Sequence, residues 1–277
     1  MKYKLFAIDL DGTLLSKNKK IKEENLIAIK DYQNLGGEPV IITGKEVSSA
    51  KYYIDIINKY TGHKIKYLAA LNGNIIIDLL TDEIIYSQKL DNDICQKIYN
   101  IVQKNKICFW PYIVGLIEKN IIPITGFKVY KTITKFNLKN KIIELKEYQN
   151  MECYKVNIIS TSFFSRKINK TYQEIISAFT KNEIDVSKTS TLMLEVVKHG
   201  SNKGNALEII CKKLNIHLSE TATIGDSFND VPMFIKSGIA IGAKIHKSHR
   251  VQEYVDEIMQ TKKHDGVAMA INNILLK

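Results

Sequence analysis

The chain has 277 residues, of which 45% are hydrophobic and 25% are charged. These proportions argue against disorder and coiled coil, and the length favours two domains or one large α/β domain. No apolar run approaches the roughly 20 residues of a membrane span, and the apolar stretch near the start is too short for a signal sequence, so we expect a cytoplasmic protein without a membrane partner.

The formal net charge is +11, which in some proteins indicates nucleic-acid binding. Only two of the 40 basic residues, Arg166 and Arg250, are arginines, although base readout and stacking favour arginine. We therefore expect no nucleic-acid partner. The segment 87–190 carries 17 basic and 9 acidic residues, so the middle of the chain should attract an anion. The four cysteines have no C-x-x-C spacing, which argues against a zinc site and a disulfide framework.

The first third of the chain alternates short apolar runs with amphipathic segments. The pattern predicts a helix at 22–35 and strands at 4–8, 39–42 and 65–71. Such alternation is typical of right-handed crossovers and a mostly parallel sheet. Polar residues and glycines follow all three strands, at 9–13, 43–44 and 72–73. Because ligands bind beyond the carboxyl ends of parallel strands, these residues should meet in one crevice.

The pattern changes in the middle of the chain and then resumes. Residues 75–87 are predicted to form a strand pair, and 88–190 are predicted to form an inserted α/β domain. After the insert, the sequence predicts a helix near 207–214 and strands at 191–197, 221–224 and 239–241. We therefore predict a doubly wound, Rossmann-like α/β core formed by 1–87 and 191–277, with 88–190 as a separate domain.

Two carboxylates, Asp9 and Asp11, follow the first strand and flank Leu10 before a glycine turn. Two acids so close repel each other unless a cation or a proton neutralises them, so this strand end predicts a reaction centre. A single aspartate would fit the simpler interpretation of a helix cap, whereas two fit it poorly.

Other strand and helix ends supply groups that could belong to the same site as Asp9 and Asp11: Thr43, Gly44, Lys203, Asp226, Asn229 and Asp230. Carboxylate oxygens are ligands that Mg²⁺ prefers, and lysine with turn amides suits a transferring phosphoryl group. Each group alone has a simpler interpretation. Thr43 and Gly44 fit an ordinary turn, Lys203 fits a solvated lysine, and the aspartates fit caps or surface turns.

Together these residues resemble the four motifs of the haloacid dehalogenase superfamily. The insert between the second and third motifs resembles the Cof-like branch, subfamily IIB, which has an α/β (C2B-type) cap domain. Further matches are Asn72-Gly73, Glu195 ahead of Ser201-Asn202-Lys203-Gly204, and Asp265-Gly266-Val267. The chain departs from the branch at two places, with Lys45 where arginine is often found and Ala243-Lys244 where Asn-Ala is common.

The resemblance implies a Mg²⁺-dependent phosphatase with a catalytic core domain and a cap domain that sets specificity. Asp9 would be the nucleophile that forms an aspartyl phosphate. Asp11 would protonate the leaving alcohol and then deprotonate the attacking water, a role that argues against dehalogenation. Mg²⁺ would be held by Asp9, the backbone carbonyl of Asp11 and Asp226, with Asp230 orienting Lys203 or the metal waters. The phosphate would be bound by the Leu10 amide, Thr43, Gly44, Lys203 and Asn229.

The implied substrate is a small phosphorylated metabolite, such as a sugar phosphate or a phosphorylated cofactor, and the protein would be a monomer or a homodimer. The cap would close over the substrate, with cap lysines at its rim. A phosphomutase of the phosphomannomutase type is an alternative, because it shares the cap class and the aspartyl phosphate. Another is a phosphate- or nucleic-acid-binding module on an inactive scaffold, which a missing Asp9, Asp11, Lys203 or Asp226 would have supported; all four are present.

Overall fold

The computed structural model describes residues 1–105, 107–113, 153–160, 166–243, 250–261 and 264–277. The chain divides into two compact units, one formed by 1–87 and 202–277 and the other by 88–201. Lys244, which belongs to one of the two departures noted above, lies outside the described residues. Within the described ranges no helix has both the length and the apolar character to cross a membrane.

The described strands are β1 (Leu5–Ile8), β2 (Glu38–Ile42), β3 (Tyr67–Ala70), β4 (Ile75–Asp78), β5 (Glu83–Ser87), β6 (Cys108–Ile113), β7 (Cys153–Ile159), β8 (Ile184–Ser190), β9 (Met193–Lys198), β10 (Thr221–Gly225), β11 (Ile239–Ala243) and β12 (Glu257–Met259). The described α-helices are α1 (Glu23–Asn34), α2 (Val47–Thr61), α3 (Asn92–Lys104), α4 (Arg166–Ala178), α5 (Lys203–Leu214), α6 (Val231–Lys236) and α7 (Gly266–Ala270).

The first unit is built on a sheet with the described strand order β12-β11-β10-β1-β2-β3-β4-β5. The pairs from β12 to β3 are parallel, and β4 and β5 are antiparallel. All four residues of β1 are buried, as expected for a central strand covered on both faces. Ile8 pairs with Ile41 of β2 and Ile224 of β10, so the loops after these strands begin at the same edge of the sheet. The doubly wound α/β core predicted from the sequence is confirmed.

Helix α5 begins at that same edge. Its N-cap residue Asn202 accepts a hydrogen bond from the Asn205 amide at 3.0 Å, which satisfies one of the amides at the start of the helix. Leu207 and Ile210 are buried in the core that α5 shares with the sheet. Because this packing fixes the helix, it also fixes the position of Lys203 in its first turn.

The second unit contains an antiparallel sheet with the described order β6-β7-β9-β8. Helices α3 and α4 pack against one face of it, in a core that includes Leu194 and Val196 of β9. On β7 and β9, Lys155 and Glu195 form an ion pair at 2.9 Å, and both are buried.

The position of β9 corrects one prediction. We expected 191–197 to return to the core and the insert to end at 190, whereas β9 pairs with β7 and β8 and the second unit continues to Ser201. The physical reason is that Leu194 and Val196 bury their side chains in the core of the second unit.

Candidate active site

The site is built around Asp9, the residue that follows β1. Its backbone amide continues the parallel ladder by donating to the carbonyl of Ile224 at 3.1 Å. The side chain is buried, with only 4% of the residue exposed. A buried carboxylate needs hydrogen bonds or a countercharge, so its partners decide what it can do.

Lys203 supplies that countercharge from the first turn of α5. Its Nζ donates to Oδ1 of Asp9 at 2.6 Å and to Oδ1 of Asp230 at 2.5 Å. The lysine itself is completely buried, with 0% exposure. A surface lysine, the simpler interpretation of this residue, is therefore excluded.

Asp230 is buried and holds the loop after β10 through hydrogen bonds. While its Oδ1 accepts from Lys203, its Oδ2 accepts from the backbone amides of Asp226 and Ser227, both at 3.0 Å. Both carboxylate oxygens are thus engaged by the protein. Asp230 is a structural part of the site that holds Lys203 and the Asp226 loop together.

Asp226 lies directly against the turn at Gly12. This glycine has a φ of +83°, and a Cβ on it would lie 2.1 Å from Oδ2 of Asp226. An L side chain at this position would be both conformationally strained and in collision with the carboxylate. Gly12 is therefore the residue that lets the two loops meet.

The cluster formed by Asp9, Asp226, Asp230 and Lys203 has an excess of negative charge. The pKa of Asp9 is raised to about 7, chiefly by burial; the Lys203 charge lowers it, and the charges of Asp230 and Asp226 contribute to the rise. Burial also raises the pKa of Asp226 to about 7, an effect that the Asp230 charge strengthens. Burial disfavours the charged form of Lys203, but the nearby Asp230 and Asp9 outweigh this and raise its pKa, so the lysine stays protonated.

These carboxylates fit a divalent cation. Asp9, Asp226 and Asp230 each offer an oxygen, and these oxygens lie within 4.8 Å of one another. Three carboxylates against one ammonium leave two negative charges, which a divalent ion would neutralise. Because both oxygens of Asp230 already accept hydrogen bonds, Asp9 and Asp226 are the better candidates for ligands.

The loop after β2 forms another wall of the site. Thr43 is buried, its amide donates to the carbonyl of Ala69 at 2.9 Å, and its Oγ1 accepts from the Lys45 amide at 3.2 Å. Asn72, which follows β3, accepts at Oδ1 from Nδ2 of Asn229 at 3.0 Å. These contacts bring the loops after β2, β3 and β10 together.

Asp11 has a different environment from Asp9. Its side chain is 46% exposed and forms ion pairs with Lys19 at 2.6 Å and with Lys45 at 2.8 Å. Partial burial raises the pKa of Asp11, but the hydrogen bonds and charges of these two lysines outweigh it and hold the pKa below its ordinary value. Its carboxylate is not part of the three-aspartate cluster found among the described residues.

Most of the residues singled out in the sequence are thus linked by direct contacts in the first unit. Asp9, Lys203 and Asp230 contact one another, Asp226 adjoins both Gly12 and Asp230, and Thr43 lies beside Asn72 in the hydrogen-bonded loops. The catalytic, phosphate-binding and metal-binding roles expected of these residues, including those of the Leu10 amide and the Asp11 carbonyl, stay predictions. Sequence reasoning missed Lys19 and Ser227. Ser227 stands three residues before Asp230, and this S-x-x-D spacing is the sequence signal of a capping box, which the two residues form. Lys19, which contacts Asp11, belongs to no such pattern.

Comparisons with known proteins cover nearly the whole chain. A family described as haloacid dehalogenase-like hydrolase matches residues 6–271. A protein of Bacillus subtilis (strain 168), the 5-amino-6-(5-phospho-D-ribitylamino)uracil phosphatase YcsE, is 26% identical over 276 residues, which cover 99% of this chain and 96% of that protein.

Solved structures show the same fold over nearly the whole chain. A haloacid dehalogenase-like hydrolase from Bacteroides thetaiotaomicron aligns with a TM-score of 0.79 at 24% identity, covering 98% of this chain and 99% of that one. The subclass IIB sugar phosphatase BT4131 also aligns with a TM-score of 0.79, at 18% identity, covering 99% and 100%. At these identities the two structures support a shared fold.

Proposed function

Because the chain belongs to the haloacid dehalogenase-like hydrolases, in their Cof-like branch, and is a phosphatase that acts on a phosphorylated substrate, we propose a specific reaction for it. It hydrolyses a phosphate monoester of a small metabolite, with Mg²⁺, through an aspartyl phosphate on Asp9. The observation that carries this proposal is the contact of buried Lys203 with both Asp9 and Asp230 beside the Asp226 carboxylate.

Asp9 is the proposed nucleophile. In the first step a carboxylate oxygen of Asp9 attacks phosphorus, and the bond between phosphorus and the ester oxygen breaks. Lys203 orients the Asp9 carboxylate through Oδ1 and favours its ionised form. In the second step water attacks the phosphorus of the aspartyl phosphate, and inorganic phosphate leaves.

Asp11 is the proposed acid and base. It gives a proton to the leaving alkoxide in the first step and takes a proton from water in the second. Lys19 and Lys45 fix its carboxylate and favour the ionised form, which is the form that the second step requires.

Cationic and neutral donors would bind the phosphate oxygens. Lys203 has three ammonium hydrogens, of which two serve Asp9 and Asp230 and the third serves the phosphate in this proposal. The Thr43 hydroxyl, the Leu10 and Gly44 amides and the Asn229 carboxamide are the other proposed donors. Such donors stabilise the charge that develops on the transferring group.

Mg²⁺ would be held by Asp9, the Asp11 carbonyl and Asp226. When bound, it would neutralise the excess negative charge of the cluster and polarise a phosphate oxygen. Asp230 would keep Asp226 and Lys203 in place without binding the ion directly, since both of its oxygens are engaged.

For the substrate class, we propose a phosphate carried on a sugar or a polyhydroxylated chain. The support comes from the relatives, because one is named for a phosphoribitylamino compound and another as a sugar phosphatase. The second unit is the proposed cap domain, and its excess of basic residues suits an anionic substrate.

The test is phosphate release from a panel of sugar phosphates, polyol phosphates and phosphorylated cofactors, with Mg²⁺ and with EDTA. Asp9→Asn removes the nucleophile and is expected to abolish release, while Asp55→Asn, an exposed aspartate on α2, serves as the matched control. Product analysis by NMR would detect transfer back to the substrate. Release that survives EDTA or Asp9→Asn, or an isomerised substrate without free phosphate, would overturn the proposed reaction.

A further inference from the structure

The turn after β3 has an unusual backbone. Leu71 and Asn72 have φ values of 51° and 60°, and the following Gly73 has 96°, so three successive residues are left-handed. Left-handed conformation costs roughly 1–2 kcal/mol per residue for L-amino acids, and Leu tolerates it less well than Asn. Strain of this kind persists only where surrounding contacts hold it, and it is often found at functional sites.

Hydrogen bonds tie this turn to the loop after β2. The Leu71 amide donates to the Lys45 carbonyl and the Asn72 amide donates to the Thr43 carbonyl, both at 2.9 Å. On the other side, a Cβ on Gly73 would lie 2.7 Å from the carbonyl oxygen of Asn202, the N-cap of α5. The turn therefore lies between the loop that carries Thr43 and the helix that carries Lys203.

The Asn72 side chain extends this link to the loop after β10. Its Oδ1 accepts from Nδ2 of Asn229 at 3.0 Å, and the same Oδ1 would lie 3.0 Å from a Cβ placed on Gly44. On the far side of the amide, Oδ1 of Asn229 accepts from the Ser227 hydroxyl. The Asn229 carboxamide is thus held at both ends, and its second Nδ2 hydrogen is the one that can serve a ligand.

We propose that Asn72 is a positioning residue that fixes the Asn229 carboxamide so that its amide hydrogen, and not its oxygen, faces the phosphate. Without the Asn72 acceptor, the Ser227 hydroxyl alone would contact the carboxamide, and a hydroxyl can accept from Nδ2 as well as donate to Oδ1. The carboxamide could then rotate by half a turn and present an oxygen to a phosphate oxygen, which is repulsive. The inference rests on the proposed function, because it assigns Asn229 to phosphate binding.

The test compares Asn72→Gly, Asn72→Ala, Asn229→Ala and the double variant Asn72→Gly/Asn229→Ala. Asn72→Gly removes the acceptor and tolerates the left-handed backbone, whereas Asn72→Ala removes the acceptor and adds strain. The measurements are kcat and KM for p-nitrophenyl phosphate and for the best metabolite, and the inhibition constant of inorganic phosphate. The matched control is Asn74→Ala, since buried Asn74 supports the same turn by donating to the Leu71 carbonyl at 2.7 Å.

We expect Asn72→Gly to lower kcat/KM about tenfold, by the same factor for both substrates, and to raise the inhibition constant of phosphate in proportion. The double variant should lie within about twofold of Asn229→Ala, because the two residues act through one contact. Asn74→Ala should lower the melting temperature and leave the inhibition constant unchanged.

Three results would overturn the inference while leaving the proposed function intact. These are full activity of Asn72→Gly beside an impaired Asn229→Ala, additive losses in the double variant, and an equal rise of the inhibition constant in Asn74→Ala. If the wild-type protein neither hydrolyses the esters nor binds phosphate, the proposed function itself fails and the inference falls with it.

Discussion

Replacing Lys203 with methionine tests the electrostatic basis of the site. The substitution keeps most of the apolar stem and removes the ammonium group that contacts both Asp9 and Asp230 at 2.6 and 2.5 Å. At 2.6 Å and an effective dielectric constant of 20, each attraction is worth about 6 kcal/mol before desolvation is subtracted. Breaking a buried ion pair by removing one partner typically costs a net of about 3–5 kcal/mol.

Proton uptake limits this cost and makes it depend on pH. The simplest response of the variant is to bind one more proton at the carboxylates. Protonating an aspartate with an unfolded pKa of about 3.9 costs about 5 kcal/mol at pH 7.5 and about 1.5 kcal/mol at pH 5. The loss of unfolding free energy should therefore be about 3–5 kcal/mol at pH 7.5 and about 1–2 kcal/mol at pH 5.

The assay is urea denaturation in EDTA, followed by circular dichroism at both pH values. Trp110 is the sole tryptophan of the chain and belongs to the second unit, so its fluorescence follows that unit separately. Lys51→Met is the matched control, because Lys51 pairs with Asp82 on the surface and should contribute at most about 1 kcal/mol. A loss from Lys203→Met that is independent of pH, or that grows as the pH falls, would refute this reasoning.

Three further predictions concern the metal, the turn and the second unit. Because the folded pKa values of Asp9 and Asp226 are raised to about 7, the metal-free protein should lose stability as the pH rises from about 4 to 7. For the same reason Mg²⁺ should raise the melting temperature more at pH 8 than at pH 5.5. An equal rise at both pH values would contradict this prediction. Gly12→Ala should lower the free energy of unfolding by about 2 kcal/mol or more, measured by denaturation, and should abolish phosphate release, measured by a phosphate assay. Wild-type stability and activity in this variant would exclude the clash with Asp226. Lys155→Met removes the ammonium group that pairs with Glu195 and should destabilise the second unit by about 3–5 kcal/mol, seen as an earlier fluorescence transition. An unchanged transition would mean that this ion pair does not stabilise the unit.

The parts of the site that could be predicted from the sequence depend on strand ends. Asp9 and Asp226 each follow a short apolar run, and such runs in an alternating α/β pattern predict parallel strands whose carboxyl ends lie at one edge. The register of Ile8 with Ile224 is what turns this general rule into a contact. The contact of Lys203 with Asp9 depends on the apolar face of α5, which packs against the sheet and so fixes the first turn of the helix beside the end of β1.

The assignment of β9 failed for a different reason. A short run such as Met193–Lys198 predicts a strand without saying which sheet it joins. The four residues from Leu194 to Val197 are all buried, and the charged one among them, Glu195, pairs with Lys155 of β7, whereas β1 is apolar throughout. A charge inside the run sets β9 apart from β1, but the run itself carries no signal of which strand supplies the partner.

The environment of Asp11 could not be predicted, because its partners are brought to it by backbone geometry. Lys19 has a φ of 56° in a turn where its amide donates to the Ser16 carbonyl at 2.8 Å, and this turn returns its side chain to Asp11. Together with Lys45 it favours ionised Asp11, which suits the proposed base step and opposes the proposed acid step. A phosphate dianion bound nearby would offset the two lysines, because its negative charge raises the pKa of a neighbouring carboxyl group. On this argument, substrate binding itself supplies the condition under which Asp11 can carry the proton for the leaving group.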